Sequence, residues 1–171
     1  MPEIDPLPGN NHPAVRQSLV ARLRNQGVEI GHLTKGLDND ALSRRVLTDK
    51  WSLKELVCHL WRVQHLFDDR IEAMLTKKDP VLLPYTPDTD TDFDKLVSHD
   101  ATETREAFLG DRINFTSRLE QLSSSQWHRT GQHPEYSRFD VHFQVEYMVH
   151  HEAHHIYQLF QRRLQVETPK R

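Results

Sequence analysis

The stretch HFQVEYMVHHEAHHIYQL, residues 142–159, contains five of the 12 histidines in the chain. Apolar residues recur in it at three- and four-residue steps, which is the period of an amphipathic α-helix. One stripe of this predicted helix runs through Met148, His151, His155 and Leu159. Residues four apart lie on the same helix face, with Cβ atoms about 5–6 Å apart. We therefore expect the imidazoles of His151 and His155 to point to one place on a buried face.

Two neighbouring imidazoles on a buried face need partners, because a buried polar group is costly without a hydrogen bond or a metal ion. A third imidazole, that of His59, falls on the buried stripe of another predicted helix. Three imidazoles from two facing helices can hold a divalent metal ion and leave a coordination position open, as in catalytic sites. His150 and His154 form an alternative pair with the same spacing. The stripe of that pair is more polar, so we prefer the first pair.

The letters HEAHH at residues 151–155 also match the H-E-x-x-H motif of zinc metallopeptidases, in which the glutamate is the general base. We treat a peptidase as a minor alternative. No His, Asp or Cys follows His155 to supply a third ligand, and no strand pattern is present to hold an extended peptide. Glu152 is thus only a weak catalytic candidate, and a glutamate on a helix surface is usually solvated. Tyr147 is another side chain that we expect near the histidines.

A second helix is predicted from its N-terminal cap. Ser52 followed by Glu55 has the spacing of a capping box, and apolar residues then recur at helical spacing until Pro80 ends the helix. Cys58 precedes His59 but lies about 100° away around this helix. We therefore expect Cys58 to be a small buried residue and not a metal ligand. We interpret Trp51, at the helix start, as a packing anchor.

Amphipathic patterns predict two more helices, over residues 13–33 and 93–122, with Ile113 among the buried positions of the latter. The histidine-rich helix should begin near Ser137. No segment alternates with a period of two residues, so the fold class is all-α, and a four-helix bundle with long crossover loops is the economical architecture. The loop at 80–94 contains alternating aspartates. It lacks the glycine and the final glutamate of a calcium loop, so we interpret it as a solvated loop that could line the mouth of the metal site.

Composition limits the protein class. The chain has 171 residues and a formal net charge of −3, which predicts one domain without the basic surplus of a nucleic-acid-binding protein. We expect a single bundle at 13–166, a flexible leader at 1–12 and a tail at 167–171. Its start does not resemble a signal peptide, and no stretch reaches the ~18 apolar residues of a membrane-spanning helix. Cys58 is the single cysteine, so we expect a cytoplasmic protein without disulfides or membrane contacts.

Two segments together resemble a known family. WSLKELVCHL, residues 51–60, resembles the W-S-x-x-E-(apolar)₂-x-H-L signature of the DinB-like (DinB/YfiT-type) metal-binding proteins. HEAHHIYQL, residues 151–159, resembles their closing H-x-x-H-H-x-x-Q-(apolar) signature. The resemblance covers nearly the whole chain after the leader. It implies a four-helix bundle of up-down-down-up order in which three histidines bind Zn²⁺ or Ni²⁺, and the matching positions are His59, His151 and His155.

The resemblance also implies a range of functions. Characterised relatives include metal-dependent thiol transferases that use bacillithiol, mycothiol or glutathione, and a thiol-dependent maleylpyruvate isomerase. We therefore expect a thiol S-transferase or a hydrolase that acts on a small molecule, with a low-molecular-weight thiol as a partner, and a homodimer. In a transferase, the metal would favour the thiolate, which is the nucleophile. The alternative is a non-enzymatic metal- or ligand-binding bundle of stress-response type, and the sequence alone leaves both classes open.

Overall fold

Helices make up most of the computed structural model, which describes residues 12–167. Four long helices form a bundle, and shorter helices lie in the connections between them. The long helices are α1 (Pro13–Thr34), α3 (Leu53–Thr76), α5 (Ala101–Gln121) and α7 (Val141–Glu167), and the short ones are α2 (Asn39–Ser43), α4 (Thr91–Ser98) and α6 (Ser124–Trp127). Within these residues there is no helix with the length and apolar character needed to cross a membrane. The flexible leader and the tail expected from the sequence fall almost entirely outside the described residues.

Hydrogen bonds between α1 and α7 show that these helices are parallel. The side chain of Gln26 donates to the carbonyl oxygen of Val149 at 2.9 Å. Farther along both helices, Arg163 donates to the carbonyl oxygen of Lys35 at 2.8 Å, just beyond the end of α1. Residue numbers therefore increase in the same direction along both helices.

The pair α3 and α5 is also parallel. Trp61 donates to Asp111 at 2.7 Å, and about two helical turns farther along both helices, Arg118 donates to Asp68. Contacts between α3 and α7 run the other way, because the ring of Phe67 lies near Tyr147 while the earlier residues of α3 lie near the later residues of α7. The order is therefore up-down-down-up, which confirms the architecture that the family resemblance implies.

The start of α3 has the predicted capping box. The hydroxyl of Ser52 accepts from the backbone N–H of Glu55 at 3.2 Å, and the carboxylate of Glu55 accepts from the backbone N–H of Ser52 at 2.8 Å. Arg45 also donates to that carboxylate at 3.0 Å. The first turn of α3 is therefore held firmly, and His59 lies in the second turn that follows it.

The predicted helix over residues 93–122 is wrong in one respect, because the structure divides it into α4 and α5. The break falls at Asp100, whose carboxylate accepts from the backbone N–H groups of Thr102 at 2.9 Å and Glu103 at 3.1 Å. An aspartate that satisfies the free N–H groups of a helix start is an N-cap. The last helix likewise begins later than predicted, at Val141, where Asp140 accepts from the N–H of Phe143 at 2.7 Å.

The centre of the bundle holds a buried ion pair. Arg112 of α5 and Glu152 of α7 are both nearly inaccessible, and the guanidinium donates to both carboxylate oxygens, one of them at 2.7 Å. Arg112 also donates to Gln64 of α3 at 2.6 Å and to the carbonyl oxygen of Leu23 of α1 at 2.9 Å. One side chain thus contacts all four long helices.

The helix positions around Arg112 are adapted to its size. A Cβ atom at Gly27 would lie 2.9 Å from Cγ of Arg112, so glycine leaves the space that the arginine stem occupies. Because Arg112 faces inward, the next residue, Ile113, faces outward and is 65% exposed. The prediction that Ile113 is buried is therefore wrong, since its inward position on α5 is taken by a charged residue.

Apolar residues form two separate core clusters. Along α5 and α7, the residues of the ion pair lie between the residues that belong to the two clusters. On α5, Phe108 belongs to one cluster and Phe115 to the other, with Arg112 between them. On α7, Val149 and Ile156 belong to different clusters, with Glu152 between them. The bundle therefore has a polar layer between two apolar layers.

Two long connections are joined through their backbones above one end of α3 and α7. Gln132 donates to the carbonyl oxygen of Pro80 at 2.8 Å, and Leu82 donates to the carbonyl oxygen of Gln132 at 2.7 Å. These hydrogen bonds join the connection that follows α3 to the connection that precedes α7, so the two lie side by side at this end of the bundle. We call these two segments, residues 80–90 and 128–140, the paired connections.

We expect the substitution Arg112→Met to reduce the free energy of unfolding by about 3–5 kcal/mol, because it leaves the Glu152 carboxylate buried without a partner. Urea unfolding followed by circular dichroism measures this change. The double variant Arg112→Met/Glu152→Leu removes both charges and should recover most of the loss. If Arg112→Met lowered the free energy of unfolding by less than the double variant does, this account would be contradicted.

Candidate metal centre

Three imidazoles meet between α3 and α7. The Nε2 atom of His151 lies 3.3 Å from Nε2 of His59 and 3.2 Å from Nε2 of His155. Candidate ligand nitrogens of all three residues lie within 4.8 Å of one another. Two nitrogens bound to one tetrahedral zinc ion at about 2.0–2.1 Å lie about 3.3–3.4 Å apart. The spacing of the three imidazoles therefore fits a shared metal ion, and the structure brings together all three residues that the sequence singled out.

Burial keeps these imidazoles in the neutral form that binds metals. It lowers the pKa of His59 to about 3, and the neighbouring imidazoles of His155 and His151 add to the effect. Burial likewise lowers the pKa of His151 to about 4, with further contributions from His155 and His154. The pKa of His155 is also lowered, chiefly by burial. A neutral imidazole has one nitrogen with a free lone pair, as a metal ligand requires.

Gln158 orients one of the three rings. Its Oε1 atom lies 2.8 Å from Nδ1 of His155, so Nδ1–H donates to the amide oxygen and Nε2 keeps its lone pair. The Nε2 atom of Gln158 lies 3.2 Å from Nε2 of His154. Hydrogen bonds of this kind fix the tautomer and the direction of metal-binding histidines. The glutamine is part of the closing signature, but its spacing alone does not show this contact.

Aromatic rings hold His59 from two sides. The ring of Trp51 lies 4.9 Å from the ring of His59, and the ring of Tyr85 lies 6.2 Å away and nearly parallel. Trp51 is therefore more than the packing anchor expected from the sequence, because it contacts a candidate ligand. Tyr85 comes from the loop at 80–94, and no local pattern in that loop indicates its contact with α3.

Two aspartates of the acidic loop, Asp90 and Asp92, form ion pairs with Arg62 of α3. Arg62 and the hydroxyl of Tyr85 each donate to the carboxylate of Asp90 at 2.9 Å. Desolvation, followed by the hydrogen bond and the charge of Asp90, raises the pKa of Tyr85. Within residues 12–167, the aspartates of this loop join no cluster suited to a metal ion. The loop therefore covers the histidine site, which is the role that the sequence left open for it.

The histidines form part of the wall of a pocket of about 330 Å³. Its other walls come from α3, α7 and the paired connections. Six aromatic residues line it, and polar residues lie among them. The aromatic residues are Trp51, Phe67, Tyr85, Tyr136, Phe139 and Tyr147, and the polar residues beside the three histidines are Arg70, His133, Glu135 and Gln144. Tyr147 thus lies where the sequence led us to expect it, with its ring 6.2 Å from that of His151.

Glu152 has a different position from the one expected of a catalytic residue. Its carboxylate is bound by Arg112 in the interior of the bundle, and Glu152 does not contribute to the pocket wall. It is neither a solvated surface glutamate nor a base directed at the histidines. The carboxylate of Glu152 therefore cannot act as the general base that an H-E-x-x-H peptidase requires, because it is paired with Arg112 and faces away from the pocket.

The remaining sequence candidates lie outside the cluster. His150 and His154 are exposed, whereas His155 is buried and His151 is half-buried, so the alternative pair lies farther out on α7 than the preferred one. Cys58 is fully buried, and burial raises the pKa of its thiol to about 12. Within residues 12–167, the metal-competent cluster contains His59, His151 and His155 and no further histidine, cysteine or carboxylate.

The family model of the DinB superfamily matches residues 22–159. The chain belongs to the DinB superfamily. Among solved structures, YfiT from Bacillus subtilis is similar in fold, with a TM-score of 0.79 and 17% sequence identity over 94% of this chain and 91% of that chain. YfiT is described as "a probable metal-dependent hydrolase with an unusual four-helix bundle topology". No curated protein sequence matches the chain. The similarity to YfiT shows that this chain and YfiT share one bundle fold.

We expect Gln158→Leu to weaken zinc binding by about 10- to 100-fold, because the ring of His155 loses the partner that fixes its tautomer. Competition with a chromophoric chelator measures the affinity. Gln158→Glu keeps an acceptor at the same place and should retain the affinity, and Gln165→Leu on the exposed end of α7 is a matched control. Equal affinities for Gln158→Leu and Gln165→Leu would show that the contact does not orient the ligand.

Proposed function

We propose that the protein is a metal-dependent enzyme that acts on a small molecule, with Zn²⁺ or Ni²⁺ held by His59, His151 and His155. The observation that carries this proposal is the convergence of three neutral imidazoles on the wall of an open pocket, where no fourth protein ligand joins them in the described part of the chain. Three protein ligands and an open position are typical of catalytic metal sites. The reaction is a thiol S-transfer or a hydrolysis.

The metal ion would act as a Lewis acid that favours deprotonation of a thiol or of water at neutral pH. The protein residues provide the rest. Gln158 holds the ring of His155, and Trp51 and Tyr85 hold the ring of His59. The aromatic walls exclude water from the body of the substrate and give it an apolar surface to bind. A pocket of about 330 Å³ suits a small molecule.

The relatives support the metal-dependent enzyme over a peptidase. The resemblance of the two histidine segments to the DinB-like signatures supports transfer, because characterised relatives of that family include thiol transferases. The description of YfiT supports hydrolysis. A peptidase of the H-E-x-x-H type needs a glutamate base beside its metal ligands, whereas Glu152 is bound by Arg112. We therefore propose the first two reactions and not the third.

Elemental analysis of the purified protein tests the metal site. We expect about one zinc or nickel ion per chain in the wild type, because three ligands converge on one point. The variants His59→Ala and His155→Ala should lose the ion, since two imidazoles bind it much more weakly. His150→Ala is the matched control, because this histidine is exposed on the same helix and should leave the metal content unchanged.

A metal-free wild type, even after incubation with zinc or nickel, would refute the proposal. A metal that is lost from His150→Ala as well would place the site elsewhere on α7. If the metal content follows the expected pattern, screening electrophiles with low-molecular-weight thiols, and esters and amides without them, distinguishes transfer from hydrolysis. Metal binding without turnover in either screen would favour the non-enzymatic alternative.

Removal of the metal should leave the protein folded. The two apolar clusters and the Arg112–Glu152 pair do not include the three histidines. A structural metal, by contrast, contributes its binding energy to folding. We expect the chelator-treated protein to keep its helical circular dichroism spectrum and a cooperative thermal transition. Unfolding on metal removal would show that the site is structural.

A further inference from the structure

The end of the pocket away from the histidines contains an amide without partners. Gln144 lies seven residues before His151 on α7, which places it on nearly the same helix face at a distance of about 10.5 Å along the axis. It is buried and lines the pocket. Neither Oε1 nor Nε2 of Gln144 has a hydrogen-bond partner among the described residues. Buried side-chain amides are rarely left in this state, so Gln144 indicates a place where an occupant of the pocket supplies the missing partners.

An unpaired cation lies at the same end. Arg70 lies eleven residues after His59 on α3, again on nearly the same face, and it lines the pocket. Its guanidinium donates to the carbonyl oxygen of Leu83 and lies 5.4 Å from the ring of Phe67. No carboxylate in residues 12–167 forms an ion pair with it. Desolvation lowers the pKa of Arg70, as expected for a cation that is partly removed from water and has no carboxylate in direct contact.

The antiparallel course of α3 and α7 brings these two residues to the same end. Phe67, one turn before Arg70, has its ring 5.8 Å from the ring of Tyr147, which follows Gln144 by one turn. Between this end and the histidines, the pocket wall is aromatic. The pocket therefore has a metal-binding end, an aromatic middle and a polar end.

We propose that Arg70 and Gln144 form a carboxylate-binding end of the pocket, which selects elongated substrates whose reacting group lies at the three histidines. This inference rests on the proposed function for the identity of the reacting end. The fork of N–H groups on Arg70 matches the two oxygens of a carboxylate. Nε2 of Gln144 can donate to the same group, and Oε1 can accept from a neighbouring hydroxyl or amide N–H. The substrate class is a small apolar or aromatic molecule with a carboxylate about 10 Å from its reacting group.

Glu135 favours a carboxylate over a phosphate. Its side chain belongs to the same pocket wall, and its charge acts on Arg70 without forming an ion pair in the structure. This carboxylate repels any anion, but it repels a dianion such as phosphate about twice as strongly as a monoanion. The end of the pocket is thus suited to a single charge.

Titration of the purified full-length chain with hydrocinnamate, an aromatic carboxylate, tests the proposal against its neutral analogue, hydrocinnamyl alcohol. NMR signals of the Gln144 side-chain amide and of the Trp51 indole N–H report binding in the pocket directly. We expect the carboxylate to bind about tenfold or more tightly than the alcohol at low ionic strength, because a hydrogen bond to a charged group is stronger than one to a neutral group. It should also shift the Gln144 amide signals.

Variants of Arg70 and Gln144 test whether these two residues cause the preference for the carboxylate. Arg70→Gln should reduce the ratio of the two affinities to about one, and Arg70→Lys should retain part of it, so a folding defect in one variant does not decide the result. Gln144→Met keeps the volume of the side chain. It should weaken binding of the carboxylate and raise the melting temperature, because a buried amide without partners is removed. Arg24→Gln, which affects an exposed arginine paired with Glu120, is the matched control and should leave the ratio unchanged.

The proposal is overturned if the acid and the alcohol bind equally well, if Arg70→Gln and Arg24→Gln have the same affinity ratio, or if Gln144 signals do not respond to the acid. The last outcome would mean that ordered water satisfies the amide. Titration of His151→Ala separates this test from that of the proposed function. A variant that has lost its metal but still prefers the carboxylate supports the recognition end independently. A metal-loaded wild type without that preference refutes the recognition end alone.

Discussion

The guanidinium of Arg112 is buried at the centre of the bundle, and a buried guanidinium must have partners on several sides. Glu152 supplies the opposite charge from α7, Gln64 supplies an amide oxygen from α3, and Leu23 supplies a carbonyl oxygen from α1. Apolar packing alone tolerates sliding or rotation of helices, because many arrangements bury similar areas. A charged group that needs three partners in fixed directions does not tolerate such sliding or rotation. If any of the four long helices shifted by one turn, a charge or an amide would be left in an apolar layer, at a cost of several kcal/mol.

This constraint also determines which face of α7 meets α3. Glu152 and His151 are neighbours in the chain and lie about 100° apart around the helix. Because Glu152 faces Arg112, His151 and His155 face the first half of α3, where His59 lies. The interior pair and the candidate metal site thus both follow from one rotation of α7. The HEAHH segment contains both, because its glutamate positions the helix that carries the candidate ligands and contributes nothing to the pocket wall.

The sequence predicts the helical architecture and the three histidines because both depend on local periodicity. The capping box at Ser52 and the stripe through His151 and His155 can be recognised from spacing alone. The position of Ile113 was predicted wrongly because periodicity treats an arginine as a surface residue, and Arg112 is an exception that tertiary partners create. The short side chains that cap α5 and α7 were overlooked because aspartates are common in loops. Contacts across long connections, such as that of Tyr85 with His59, leave no local pattern in the chain.

The candidate ligands lie on helices, whereas much of the wall around them lies on the paired connections. Tyr85 and its neighbouring prolines belong to one of these segments, and His133, Glu135 and Tyr136 belong to the other. The two segments are held to each other by backbone hydrogen bonds, which depend little on side-chain identity. Residues of the paired connections other than Tyr85, whose ring lies beside that of His59, can therefore be replaced without disturbing the ion pair or the candidate ligands. Substitutions in these two short stretches therefore change the shape and charge of the pocket while the three histidines stay in place on α3 and α7.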